Sequence, residues 1–188
     1  LRDAAQKITA TLDQEHVIQL ILDQLAKVVP YESASVQLLR DGYLEIVGGQ
    51  GWPDPSAVLG IRFPVPGDNP NTMVIQGRVP LILGNVLKEY SPFKEPPHSH
   101  IQSWLGAPLI VRDRVIGMFA VDHSQPDFFT EADAQMVNAL AGEAARLLGA
   151  GPAGQRAAVL LTGLGSPLGS YAATAFSEPL QAAALVAA

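Results

Sequence analysis

The first repeating pattern in the chain is a stripe of apolar residues at helical spacing. Asp13 stands where an N-cap would lie and Pro30 stops the pattern, so a helix is predicted over residues 14–29. The apolar positions recur at intervals of three, four and three residues, which places them in one seam. They are Ile18, Ile21, Leu25 and Val28. A seam of this kind predicts packing against the chain's own sheet, a partner chain, or both.

A second amphipathic segment follows Phe129. Thr130 and Asp133 have the spacing of an acidic capping box, Phe129 is placed as the outer half of a hydrophobic staple, and Gly149 supplies a stop. Its seam has the same three, four, three spacing and consists of Val137, Leu140, Ala144 and Leu147. The folded part of the chain is therefore predicted to begin and end with a helix.

Between these helices, short apolar runs predict strands. The runs are 33–39, 43–48, 79–83, 105–111 and 115–122. Asp41-Gly42 separates the first two runs and is a strong hairpin signal, while Arg112-Asp113-Arg114 separates the last two. Two hairpins imply an antiparallel sheet. A short helix is predicted over Pro70–Gln76, with Asn69 as its N-cap and Gly77 as its stop.

A long connection, Gly84–Gln102, follows the strand 79–83. It contains several aromatic and histidine side chains, and 10 of the 15 prolines lie between Pro53 and Pro108. A connection of this length in a compact domain is usually functional or disordered. We therefore expect a binding site in this region.

Composition divides the chain after Gly149. Residues 1–149 hold 11 of the 12 Lys and Arg and 17 of the 18 Asp and Glu, whereas residues 150–188 hold 12 Ala among 39 residues. The prediction is one domain over residues 1–149 and a low-charge tail over 150–188. That tail is interpreted as a linker, a truncated segment or a non-native extension.

Charge and cysteine content exclude several functions. A net charge of −6 without a basic cluster gives no footprint for nucleic acid or an anionic membrane. Residues 1–29 have the pattern of neither a signal peptide nor an anchor, and glycines interrupt the uncharged stretch 157–177. The chain has no Cys, which removes disulfides, Cys-ligated metals and thiol nucleophiles. Because nothing requires an oxidising compartment, we expect a cytoplasmic location.

The order of predicted elements, together with several local motifs, carries a family resemblance over residues 5–148. The motifs are residues 12–17 opening the first helix, 76–81 before the central strand, 103–109 through 115–121 in the last hairpin, and 129–133 at the closing helix. In this order and spacing they resemble a GAF domain. The resemblance implies an α+β fold, in which an antiparallel sheet of about five to six strands has the terminal helices on one face. A small-molecule pocket under loops and a short helix is implied on the other face.

The resemblance also implies a regulatory role. GAF domains commonly pair through their terminal helices and connect to an effector such as a histidine kinase, a cyclic-dinucleotide enzyme or a transcription activator. We therefore expect a homodimer in which the two seams pair between chains. Cyclic-nucleotide binding is disfavoured, because Asp122-His123 replaces the family's Asn-Lys pair and Ala134 replaces Glu. Covalent bilin attachment and Cys-based reduction of methionine sulfoxide need a thiol that the chain lacks, so the domain is expected not to be an enzyme.

Seven residues are the predicted ligand-binding set. They are Phe63, Asn85, Tyr90, Phe93, His98, His100 and Trp104. The aromatic members suit an apolar pocket, and Asn85 is the candidate polar contact. Ordinary packing, a turn position for Asn85 and exposed loop positions for the histidines are the alternatives.

His98 and His100 also raise the question of haem or another metal. Their i, i+2 spacing in a loop lacks the usual spacing of metal ligands, so no cofactor is expected, and a haem-binding gas or redox sensor is the less favoured alternative. Asp122-His123-Ser124 is not expected to form a hydrolase triad, because neighbours on a strand face opposite sides. The leading hypothesis is a non-covalent small-molecule sensor linked to an effector, and the alternative is a ligand-free dimerisation scaffold.

Overall fold

A computed structural model of the chain describes residues 2–149. The helices are α1 Arg2–Val28, α2 Pro70–Gly77, α3 Val86–Glu89 and α4 Glu131–Gly149. The strands are β1 Ser33–Arg40, β2 Tyr43–Gln50, β3 Arg62–Pro64, β4 Leu81–Leu83, β5 Ser103–Val111 and β6 Arg114–His123. Single 3₁₀ turns occur at Pro55–Ala57 and Ser91–Lys94. The predicted low-charge tail, 150–188, lies outside the described residues.

The six strands form one antiparallel sheet in the order β3-β2-β1-β6-β5-β4. This arrangement confirms the predicted α+β class. Both predicted hairpins form, and Asp41 and Gly42 take φ values of 49° and 78° in the first of them. Two successive residues with positive φ make the kind of two-residue turn whose twist matches the strands it joins.

Both terminal helices cover one face of the sheet. Ile21 and Leu25 of α1 and Val137 of α4 belong to the same buried cluster as Val36 of β1 and Phe119 of β6. The spacing that predicted a seam therefore corresponds to the stripe that packs on the sheet.

The structure bears directly on the residues predicted to pair helices between chains. Five of the eight are buried within this chain: Ile18, Ile21, Leu25, Val137 and Ala144. The other three, Val28, Leu140 and Leu147, are partly buried against the same cluster. The seams face the chain's own sheet, so the five buried side chains have no free surface to offer a second chain. A dimer contact through these helices would need other positions on them.

The predicted start of the first helix is wrong. The helix is continuous from Arg2 to Val28, so Asp13 lies inside it rather than at its N-cap. The residues before Asp13 include no Gly or Pro, so no backbone constraint stops the helix from extending towards the N-terminus.

The predicted capping box at α4 is confirmed. The Thr130 backbone N–H donates to Asp133 Oδ2 at 2.8 Å, and the Asp133 backbone N–H donates to Thr130 Oγ1 at 3.3 Å. Phe129 and Ala134 are both buried in the helix-side cluster, as a hydrophobic staple requires. The exchange satisfies two backbone donors at the start of the helix.

We expect Thr130→Ala to lower the free energy of unfolding by about 1 kcal/mol. The Asp133 N–H loses its acceptor, while the buried surface of the domain is unchanged. Urea denaturation measures the loss, and Thr130→Ser is the matched control because it keeps the hydroxyl. Equal destabilisation by both variants would contradict a capping role for the hydroxyl.

A second buried cluster lies on the opposite face of the sheet. It includes Ile46 of β2, Met118 of β6 and Trp104 of β5, together with Val74 of α2. The N-cap of α2 is as predicted, because Asn69 Oδ1 accepts from the Thr72 N–H at 3.1 Å.

Two predicted boundaries around this cluster need correction, and one predicted connection contains more structure than expected. The helix α2 includes Gly77, and the left-handed residue that stops it is Arg78, with φ 59°, rather than Gly77. The strand β4 begins at Leu81 rather than at Val79, which is 58% exposed. The connection Gly84–Gln102 contains α3 and a 3₁₀ turn, so it is more ordered than a plain loop.

Within the part of the chain that the structure describes, no helix combines the length and apolar character needed to cross a bilayer.

Candidate functional site

A cavity of about 80 Å³ lies on the face of the sheet opposite α1 and α4. Strands β1, β2, β5 and β6 form its floor, while the start of α2 and the loop that contains His98 close over it. Its lining residues are Ser35, Gln37, Ile46, Trp52, Phe63, Asp68, Asn69, Pro70, Asn71, Tyr90, Pro92, Phe93, His98, Ile101, Trp104, Ala120 and Asp122. The volume is well below the roughly 300–1,000 Å³ of common ligand pockets, which restricts any occupant in this conformation to a few non-hydrogen atoms.

The walls of the cavity are aromatic. His98 lies at the centre of them, with its ring centroid 5.6 Å from that of Trp52 and 6.1 Å from those of Phe63 and Phe93, in edge-to-face contacts. The backbone of β1 holds Trp52 in position, because the Trp52 Nε1–H donates to the Ala34 carbonyl at 3.0 Å. These contacts hold the rings in place and leave the cavity that they enclose open.

The floor of the cavity is polar. Ser33, Ser35 and Gln37 alternate with apolar residues along β1, so all three point towards the cavity face. Gln37 is 3% exposed, and its Nε2 donates to Ser35 Oγ at 3.2 Å. Its Oε1 is buried and has no hydrogen-bond partner among residues 2–149. A buried acceptor without a partner costs free energy, so this oxygen is able to accept a further hydrogen bond.

Asp122 adds an ionisable group to the floor. It lies on β6 between Ser33 of β1 and Trp104 of β5 in the strand register. The Ser33 hydroxyl donates to Asp122 Oδ2 at 3.1 Å and lies 3.2 Å from His100 Nε2. Burial raises the pKa of Asp122 to about 8, although the Ser33 hydrogen bond lowers it. The carboxyl group is therefore protonated at pH 7.

The pKa of His98 is shifted in the opposite direction. Burial lowers the pKa of His98 below its usual value, and the neighbouring His100 lowers it further. The imidazole of His98 is therefore neutral at pH 7. Among residues 2–149, no group of three His, Asp or Glu side chains converges in a way that would hold a metal ion.

Five of the seven predicted ligand-binding residues line the cavity. They are Phe63, Tyr90, Phe93, His98 and Trp104. His100 lies behind this layer, with its ring 5.4 Å from that of Trp52 and its Nε2 near Ser33. Asn85 lies outside the lining and stands at the N-cap of α3, as its alternative interpretation as a turn residue would have it.

Sequence reasoning missed twelve of the seventeen lining residues, among them Ser35, Gln37, Trp52 and Asp122. For Ser35 and Gln37, the only signal was the alternation of polar and apolar residues along β1, which places them on one face of the sheet but is also the pattern of a solvated face. For Asp122, the signal was a carboxylate directly after the apolar run of β6.

The sheet order, the two helices on one face and the enclosed cavity on the other define the chain as an α+β domain with a small internal site. The family model for the GAF domain matches residues 11–148. Because this match covers most of the chain, the protein belongs to the GAF family. No curated protein matches the sequence.

Solved structures with a similar fold include the GAF domain of a phosphoenolpyruvate-protein phosphotransferase from Coxiella burnetii. It has 22% identity and a TM-score of 0.62, over 83% of this chain and 92% of that one. A domain from Sinorhizobium meliloti 1021, assigned to a two-component sensor histidine kinase, has 22% identity and a TM-score of 0.55, over 70% and 87%. At these identities the likeness establishes the fold alone.

A third similar structure is a type II free methionine-R-sulfoxide reductase from Thermoplasma acidophilum. It has 15% identity and a TM-score of 0.60, over 76% of this chain and 95% of that one. The same fold therefore occurs in an enzyme as well as in signalling proteins.

Proposed function

We propose that this domain is a non-catalytic sensor that binds a small molecule non-covalently in the cavity beneath His98. Binding would alter the packing of the terminal helices and so control an effector linked to the domain in the full-length protein. The homodimer and the cytoplasmic location expected from the sequence belong to the same proposal. The observation that carries it is the unpaired Gln37 Oε1 in the floor of an aromatic cavity.

A non-catalytic role is supported by the chemistry of the residues. The reductase relative acts on free methionine-R-sulfoxide, and the sequence-based expectation was that such reduction would use a Cys, which this chain lacks. The ionisable groups of the cavity are Asp68, Tyr90, His98 and Asp122. Among the described residues, the lining Ser35 pairs with Gln37 rather than with a His, and Ser33, whose hydroxyl lies 3.2 Å from His100 Nε2, has 0% exposure and does not line the cavity.

The sheet offers a route from the cavity to the helices. Along β1, Ser35 and Gln37 face the cavity, while the intervening Val36 packs in the cluster that contains Leu25 of α1. A displacement of β1 on ligand binding would therefore change the packing between β1 and the terminal helices directly. A ligand can shift this packing only by the difference between its affinities for the two helix arrangements.

A ligand-free dimerisation scaffold is the second candidate, and the cavity volume favours it. A space of about 80 Å³ is smaller than the ~150 Å³ of an engineered cavity that admits benzene. The polar floor argues against the scaffold hypothesis, because a protein without a ligand gains stability by replacing an unpaired buried amide with an apolar side chain.

Native mass spectrometry of the 188-residue protein tests the two candidates. We expect a bound species of low mass on the wild type and its loss in Ala120→Leu, because Ala120 lines the cavity and is 2% exposed. Ala132→Leu, on the exposed side of α4, is the matched control and should keep the bound species. Identical spectra for the wild type and both variants, with no bound species, would favour the scaffold.

A further inference from the structure

The unsatisfied acceptor and the buried carboxyl group in the cavity floor specify the chemistry of an occupant. This inference rests on the proposed function and deepens it. No Lys or Arg is among the described residues that line the cavity, whereas Asp68 and Asp122 are. An anion would find no counter-charge there, so the occupant is neutral or cationic.

The strand register places Gln37 two rows from Asp122 on the same face of the sheet, and the hydrogen bond from Gln37 Nε2 to Ser35 Oγ holds the Gln37 amide group beside the row between them. Asp122 lies opposite Ser33, and the next residue pair on the same face is Ser35 with Ala120. Because Nε2 and Oε1 belong to the same amide group, the Gln37 Oε1 lies close to that second row. Neighbouring rows on one face are about 7 Å apart, which is twice the rise per residue.

A single ammonium nitrogen cannot bridge this gap. Two N–H···O bonds of about 2.9 Å span less than about 6 Å even when they are collinear. A planar N–C–N unit supplies N–H donors at two ends and adds its own width to the two bonds. Such a unit also presents a flat cationic face, which suits the rings of Trp52 and Trp104 on the walls.

We propose that the cavity takes a small amidinium or guanidinium cation, which donates to Gln37 Oε1 at one end and to the Asp122 carboxylate at the other. A compact amidinium of four non-hydrogen atoms suits a space of about 80 Å³. Trp52 and Trp104 are the only tryptophans in the sequence and both line the cavity. Their emission therefore reports binding directly.

Binding of the cation is coupled to the ionisation of Asp122. Other ionisable groups face the carboxyl group from the surrounding elements: His98, His100, Asp68 and Tyr90 around the cavity, and Glu32 and His123 beside the strand ends. Because burial raises the pKa of Asp122 to about 8, the cation has to displace a proton at pH 7. The apparent affinity should therefore rise with pH until the carboxyl group is fully ionised.

Three isosteric molecules test the charge requirement: acetamidinium, acetamide and acetate. Each is titrated into the 188-residue protein at pH 7.0 and 8.5, with tryptophan emission as the signal. We expect acetamidinium to bind about eightfold more weakly at pH 7.0, from the fraction of Asp122 that is ionised at each pH. Acetamide should bind weakly and without pH dependence, and acetate should not bind.

Variants then assign the contacts. Asp122→Asn should abolish acetamidinium binding and its pH dependence, and Gln37→Leu should weaken binding at least tenfold. Glu131→Gln removes an exposed carboxylate on α4 and should change nothing. Methylguanidinium and free arginine extend the series, and binding of arginine alone would assign the site to an arginine side chain rather than to a small free cation.

Two results would overturn the proposal: acetamide binding as tightly as acetamidinium, or Asp122→Asn binding acetamidinium like the wild type. If no cation binds but native mass spectra still contain a species that Ala120→Leu removes, the ligand class is wrong and the sensor function stands. If neither experiment detects an occupant, both proposals fail together.

Discussion

Asp122→Asn is expected to make the fold more stable than the wild type at pH 8, by an amount that grows as the pH rises from 6.5. Burial raises the pKa of Asp122 from 3.8 to about 8, so the folded state holds a proton that the unfolded state has lost. Wild-type stability therefore falls with rising pH through this window. The integrated loss between pH 6.5 and 8 is about 1.5 kcal/mol. Asn keeps the shape and can pair with Ser33, but it does not titrate.

The comparison with Asp122→Asn isolates this effect, because both proteins contain His98, and the window above pH 6.5 reduces the contribution of His98. The lowered pKa of His98 acts in the opposite sense, because the unfolded chain binds more protons than the folded chain below the ordinary pKa of 6.5. The measurement is urea unfolding at pH 6.5, 7.2 and 8.0, followed by far-ultraviolet circular dichroism. Parallel pH profiles for Asp122→Asn and the wild type would contradict a protonated carboxyl group in the cavity.

The parts of the fold that could be predicted from the sequence are those with local physical causes. Asp41-Gly42 adopts positive φ at both positions, and Thr130 with Asp133 exchanges hydrogen bonds over three residues. Neither feature depends on what the rest of the chain does. The aromatic wall was also within reach, because Phe93 and His98 lie in an unusually long connection.

The polar floor could not be predicted in the same way. Alternation of Ser33, Ser35 and Gln37 with apolar residues is the pattern of a strand with one face in water. Here that face is covered by α2 and the loop that contains His98, and only the tertiary arrangement determines this. Asp122 could not be predicted as a cavity residue for the same reason, because an acidic residue near a strand end is normally solvated.

The surface that each helix seam contacts is also determined only by the tertiary arrangement. A three, four, three spacing buries one stripe, whatever surface it packs against. Leu25 contacts the sheet-side cluster and has 0% exposure within a single chain, so the seam is already occupied. The spacing predicted the stripe correctly, but it carried no information about which surface the stripe would contact.

Leu25→Asp is expected to unfold the domain rather than to dissociate a dimer. The substitution places an unpaired carboxylate in a fully buried apolar cluster, which belongs to the class of changes that cost about 4 kcal/mol or more. That is a large part of the roughly 5–15 kcal/mol that stabilises a typical domain. Circular dichroism and thermal unfolding measure the loss, and Ala26→Asp, on the exposed side of the same turn, should leave the fold intact.

If Leu25→Asp does not fold, a milder variant distinguishes packing of the seam on the chain's own sheet from contact with a second chain. Leu25→Ala should lower the free energy of unfolding by about 2–5 kcal/mol, because it leaves a void between α1 and the sheet. Its mass in light scattering should equal that of the wild type at every concentration. A reduced mass with unchanged thermal stability would place Leu25 in an interface between chains and would contradict the packing described above. The expected combination, lost stability with constant mass, would place any dimer contact on the outer faces of α1 and α4.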